Sequence, residues 1–229
     1  MKKIITALLL AGMAFSLVSC MKRNKDSTTE SSSQESTHSG NISPSEVTTT
    51  AEGVLESAFE GFLTNMAPVY GVNSAEEVKS YFVGTEMETV TEKDEDTGEE
   101  FSYEMPKNEP GPLALDNPDE VQNQTMFPLD SVDQIQNAAI FYNLMNMNNG
   151  TFSAFKLKDE SQLTVLAGRI QSNIKSYQWI CGFPERFLIM RTDDVLICAY
   201  GLEASMNAWK AAVTAAYKNA EVLYEEALR

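Results

Sequence analysis

From Ala139 onward the apolar residues repeat one rhythm twice, strand–strand–helix, and that rhythm limits the fold more than any other feature. Ala139 to Met147 is a β-rich apolar run. Asn149-Gly150 follows, a dipeptide that favours a two-residue hairpin turn because both residues tolerate positive φ. Phe152 to Leu157 returns as a second strand. Leu163, Leu166, Ile170 and Ile174 recur at helical spacing and predict an amphipathic helix over about 160–176. Arg186 to Met190 and Val195 to Tyr200 are apolar strands about a turn near Thr192-Asp193. Met206, Trp209, Val213 and Tyr217 mark a second helix, and Ala220 to Tyr224 a last short strand. Short connections make sequential strands antiparallel neighbours. The order ββαββα therefore predicts an α+β fold, an antiparallel sheet built from hairpins with helices packed on one face.

This core sheet occupies the second half, 129–229, of one domain expected over 51–229; the first half, 51–128, reads as helices and an acidic hairpin. Leu55, Phe59, Phe62 and Met66 share one helical face, and Pro68 is expected to end that helix, because the residue before proline avoids helical backbone. Ser74 and Glu77 have capping-box spacing ahead of Val78, Tyr81 and Phe82, with Gly84 as a stop. Over 86–104 two alternating runs flank Asp94-Glu95-Asp96-Thr97-Gly98, a hairpin pattern carrying nine carboxylates and one lysine. A calcium loop would need oxygen ligands at its fifth and twelfth positions. Counted from Asp94 those are Gly98 and Met105, so the stretch reads as a solvated acidic hairpin. Pro106, Pro110, Pro112 and Pro118 make a loop, and Ser131 and Gln134 suggest a short helix over about 131–137.

The amino terminus reads as an address. Lys2 and Lys3 precede a 15-residue apolar run, Ile4 to Val18, with the length and flanks of a secretory signal. A permanent span needs ~20 such residues. The run ends Leu17-Val18-Ser19-Cys20, which resembles a bacterial lipobox. The resemblance implies removal of residues 1–19 and a diacylglyceryl thioether on Cys20, with palmitate-type acyl chains. An ordinary signal peptide with an incidental Cys20 is the alternative. Two acyl chains hold a protein stably at a bilayer. Lys22, Arg23 and Lys25 would then lie against anionic headgroups, or serve only as polar linker residues. Residues 20–50 form the lipidated cysteine and a tether whose eight Ser and six Thr cannot bury enough surface to order it. Thirty flexible residues have an r.m.s. span of roughly 30 Å.

The formal charge of −16 argues against nucleic acid, which requires clustered cations. The single histidine, His38, lies in the tether, so His-based nucleophile activation and Cys/His zinc sites have no partner in the domain. Phosphate-binding and dinucleotide-binding glycine motifs are absent, and no cofactor is implied. Ser153–Lys156 and Ser172–Lys175 have serine–lysine spacing; the first would straddle a strand and the second lacks the accompanying elements of that chemistry. Cys181 and Cys198 admit two readings, a disulfide outside the cell or two buried thiols, and the offset of Cys181 from the hairpin favours the second. In the loop Trp179-Ile180-Cys181-Gly182-Phe183-Pro184, Trp179 and Phe183 are candidate recognition residues, with Trp179 as a core cap the alternative.

Phe155-Lys156-Leu157-Lys158-Asp159, Gln178-Trp179-Ile180-Cys181 and the strand pair Arg186 to Tyr200 resemble a family of uncharacterised lipoproteins of Gram-positive, clostridial-type bacteria. The resemblance covers roughly residues 130–225 and implies an envelope lipoprotein without an assigned catalytic residue. The sequence reading is thus a non-catalytic binding or adaptor domain, lipid-anchored through Cys20 on the outer face of the cell membrane, with an envelope protein or ligand as partner. A small carboxylate-dependent envelope hydrolase is the first alternative. A solute-binding component of a transporter is the second, although 179 residues are few for a two-lobed clamp.

Overall fold

The protein is described by a computed structural model over residues 49–228; the expected leader, Cys20, His38 and the expected tether to residue 48 lie outside the described residues. Helix α1 (Ala51–Tyr70) starts where the Thr50 hydroxyl accepts the Gly53 N–H at 3.0 Å. It does not end at Pro68. The carbonyl that the proline leaves without a donor belongs to Thr64, which is exposed, so the missing bond leaves no polar group buried. The helix ends at Gly71, whose left-handed backbone (φ 69°) directs its N–H to the carbonyls of Ala67 and Pro68. Helix α2 (Ala75–Lys79) carries the expected box, with the Glu77 carboxylate accepting from the Ser74 hydroxyl and the Asn73 N–H.

One sheet holds seven strands: β1 (Phe82–Val83), β4 (Gly111–Pro112), β5 (Ile135–Asn143), β6 (Gly150–Leu157), β7 (Arg186–Thr192), β8 (Val195–Gly201) and β9 (Glu221–Ala227). The order is β1-β5-β6-β8-β7-β9, with β4 also on β5, and every pairing is antiparallel. Strands β2 (Met87–Lys93) and β3 (Glu100–Pro106) form a separate two-stranded hairpin. The fold is α+β, as the succession of strands and helices predicts.

Helices cover both faces of the sheet rather than one. Ala139, Phe141, Phe152, Ala154, Leu188 and Ile197 pack against α1 and against α5 (Glu203–Ala216). Ala138, Ile140, Phe155, Leu157, Ile189 and Leu196 pack against α4 (Leu163–Ser176) and the segment after α3 (Pro118–Thr125). The physical reason is in the strands themselves. β8 is apolar at odd and even positions alike, and β6 puts Phe152 and Ala154 on one face and Phe155 and Leu157 on the other, so each face carries surface that must leave water. On the α1 side, Phe62, Phe82, Phe141, Phe152 and Trp209 form an aromatic cluster with ring centroids 4.5–6.2 Å apart.

Two turns differ from expectation. The β7–β8 turn is Asp193-Asp194 rather than Thr192-Asp193, with Asp193 at φ 49°, and Cys198 faces Ile189 in the register. Strand β5 stops at Asn143, not Met147, and a 3-10 turn (Met147–Asn149) replaces a two-residue turn at Asn149-Gly150, where Gly150 is already extended strand.

Candidate functional site

One end of the central strands, at Asn143, Gly150, Arg186 and Gly201, carries the connections 144–149 and 177–185 and the start of α5. Asparagines brace these loops. The Asn143 side-chain Oδ1 accepts the N–H groups of Met145 and Asn146, each at 3.1 Å, which turns the chain out of the strand. Its amide donates to the Tyr70 hydroxyl at 3.2 Å. The Asn146 amide donates to the Cys181 carbonyl at 2.8 Å. The Asn148 amide donates to the carbonyls of Ile180 (3.0 Å) and Gly182 (3.1 Å). The Asn149 carbonyl accepts the Leu202 N–H at 3.0 Å.

The second loop is shaped to receive these donors. Cys181 and Gly182 have positive φ, 62° and 130°. A Cβ on Gly182 would sit 2.8 Å from the Asn146 amide nitrogen, so glycine is required there on both counts. With backbone carbonyls satisfied from within, large apolar side chains are left at the surface. Met145 is 79% exposed, Ile180 74% and Phe183 49%, with Leu144 close behind. Scattered exposed hydrophobics are ordinary; four on two mutually bonded loops make a candidate interaction surface.

The two aromatic candidates from the sequence separate here. Trp179 is buried and packs on Tyr200 (centroids 5.0 Å) and Tyr177 (4.8 Å), closing the core on the α4 side. Phe183 stays at the surface. Leu144, Met145 and Ile180 were not singled out as candidates from the sequence, and the first two sat inside an expected strand. The signal that could have found them is the asparagine run at 143, 146, 148 and 149, whose side chains compete with strand pairing.

Cys181 is exposed and Cys198 buried, and both are free thiols; no disulfide joins them. Burial pushes the Cys198 thiol up, so it stays protonated and inert. Neither serine–lysine pair converges. The Ser153 hydroxyl donates to the Cys198 carbonyl while the Lys156 ammonium pairs with Asp194 at 2.8 Å. Ser172 donates to the Gly168 carbonyl while Lys175 pairs with Glu226. In the acidic hairpin the Asp94 carboxylate is occupied by its own turn, accepting from the N–H groups of Asp96 and Thr97 and the Thr97 hydroxyl, which lowers its pKa. Among the described residues no group of three or more His, Cys, Asp and Glu has an arrangement that could hold a metal ion.

The chain enters the domain at the opposite end of the same strands. The Lys156 ammonium donates to the Thr49 carbonyl at 2.9 Å, and the Asn137 side chain accepts the Ala51 N–H at 2.8 Å. From Lys156 along β6 to Gly150 is about 20 Å at the usual rise per residue. No family model, curated protein or solved structure matches the chain.

Proposed function

We propose that the protein is a lipid-anchored binding domain on the outer face of the cell membrane, engaging an envelope partner through loops 144–149 and 177–185 without catalysis at that surface. The observation that carries this reading is the polarity of the domain. The tether joins at the Thr49 end, and the exposed apolar side chains stand on braced loops at the other end of the strands. A partner bound at those loops would not meet the point where the chain enters the domain. The lipobox-like Leu17-Val18-Ser19-Cys20 and the resemblance to clostridial-type lipoproteins support the same reading.

The test has two arms. Cys20→Ser should move the protein from the membrane fraction to the soluble one; unchanged membrane retention would remove the anchor. A double variant, Met145→Asp with Ile180→Asp, alters only exposed side chains and should leave the melting temperature in place. In-cell crosslinking should capture a discrete partner with the native chain and lose it with the double variant. Equal crosslinking by both chains would overturn the role of the loops.

A further inference from the structure

We propose that the groove between α3 and the carboxyl-terminal end of α4 is a binding site for an uncharged saccharide. The groove, of about 370 Å³, is lined by Gln122 and Asn123 on one side and by Asn173, Tyr177 and Gln178 on the other. In a chain of net charge −16, every residue lining it is uncharged. The side-chain amides of Gln122, Asn123 and Gln178 make no hydrogen bond among the described residues. The walls are held at a fixed separation. Met126 ends α3 in left-handed backbone (φ 63°), and its carbonyl accepts the Asn173 amide at 3.0 Å. That bond leaves the Asn173 carbonyl oxygen as an acceptor.

The lining selects the ligand class by elimination. A charged molecule would shed hydration and meet no countercharge. An apolar one would strip water from three carboxamides and offer them nothing. Carboxamides each carry two donors and an acceptor, and hydroxyl groups both donate and accept, so a polyhydroxylated molecule matches them group for group. Tyr177 is half exposed and adds an aromatic surface for the C–H side of a pyranose ring. The groove continues into a depression of about 270 Å³ that shares Gln122 and Asn173 and ends at Arg169 and Asp130. That pair neutralises itself by an ion pair. Positions 169, 173 and 177 follow one stripe, about 12 Å long at the helical rise. The site is therefore elongated, as an oligosaccharide requires. Tyr177 and Gln178 open the 177–185 connection, but its exposed apolar side chains, Ile180 and Phe183, do not line the groove, so the two roles are tested separately.

Trp179 provides the readout, because its ring meets Tyr177 while Trp209 is fully buried in the core on the other side of the sheet. The full chain is titrated with chitotetraose, cellotetraose and maltotetraose. Tetra-lysine, trigalacturonate and tetra-alanine serve as cationic, anionic and peptide comparators. The expected result is a saturable change in Trp179 emission with at least one neutral tetrasaccharide. The double variant Gln122→Ala with Gln178→Ala should weaken that binding at least roughly tenfold, as two lost hydrogen bonds imply, without moving the melting temperature. Trp179→Phe should silence the optical signal and leave the calorimetric titration in place. Met145→Asp with Ile180→Asp should bind saccharide as the native chain does, which separates this site from the loop surface. No saturation by any of the three up to about 10 mM would overturn the proposal. So would unchanged affinity in the double carboxamide variant, or tighter binding of any comparator.

Discussion

Tyr200 couples the fold to alkaline pH. Its ring is buried against Trp179 and its hydroxyl donates to the Gln124 carbonyl at 3.0 Å. Burial pushes its pKa up to about 12, from an ordinary 10. The folded state therefore holds this proton more tightly than the unfolded chain does. The resulting stability is fully present below pH 10 and is lost as the pH rises from 10 through about 12. Over that window the loss amounts to about 2–3 kcal/mol for a shift of this size. Tyr200→Phe removes the hydrogen bond, at about 1 kcal/mol, but also the ionisation. The variant should be the less stable protein in urea denaturation at pH 7 and the more stable one near pH 12. Comparing the two chains at each pH cancels every other titrating group. Parallel stability curves across that range would show that Tyr200 is free to ionise in the folded state.

At the scale of elements, β8 and the 144–149 loop meet with no room for a side chain. A Cβ on Gly201 would lie 2.5 Å from the Asn149 carbonyl and 2.7 Å from the Gly150 Cα, and all of these are backbone atoms. Gly201→Ala should cost about 3 kcal/mol, by displacing the loop or the end of the strand. A lower urea midpoint at unchanged m-value would report it. A midpoint within error of the native chain would show that the loop slides freely. Contacts of this kind are invisible in sequence, because nothing local to Gly201 announces its neighbour across the sheet. The periodic elements were legible: α4 and α5 show their apolar stripes, and the β2–β3 hairpin was found with its turn at Asp94 to Gly98. The two-sided sheet was legible in principle. Val195, Ile197 and Ala199 point to one core and Leu196, Cys198 and Tyr200 to the other, a run with no polar face to leave in water. Helix α3 was missed although Asn117, Pro118, Asp119 and Glu120 supply a cap, a helix-starting proline and two acids for the first turn. Its body, with only Val121 and Thr125 buried, lacks the apolar stripe that periodicity detects. Of the candidate surface, Phe183 was legible. Ile180 and Met145 were not, because their exposure follows from asparagine side chains bonding to backbone far away in sequence.

For the molecule as a whole, the two cores and the acidic hairpin are separable. Strands β2 and β3 pair only with each other, and neither core contains a residue from 87–106. An isolated two-stranded hairpin is marginal in water, so this one gains its order at its base. There the Lys107 N–H donates to the Glu86 carbonyl at 2.8 Å and the Lys107 ammonium pairs with Glu86. Because Glu86 and Lys107 already touch, a short glycine linker can join them after excision of 87–106. The excision removes eight carboxylates and one lysine, which relieves repulsion in a chain of net charge −16. It removes no buried apolar side chain. The melting temperature of the excised chain should stay within about 3 °C of the native value, since a change of 1 kcal/mol corresponds to about 2–4 °C in a domain of this size. The gap between the two chains should narrow as salt is raised, because only the charge contribution is screened. A fall of about 10 °C in calorimetry would mean instead that the hairpin supports a core, and that the sheet and its two helical layers do not stand without it.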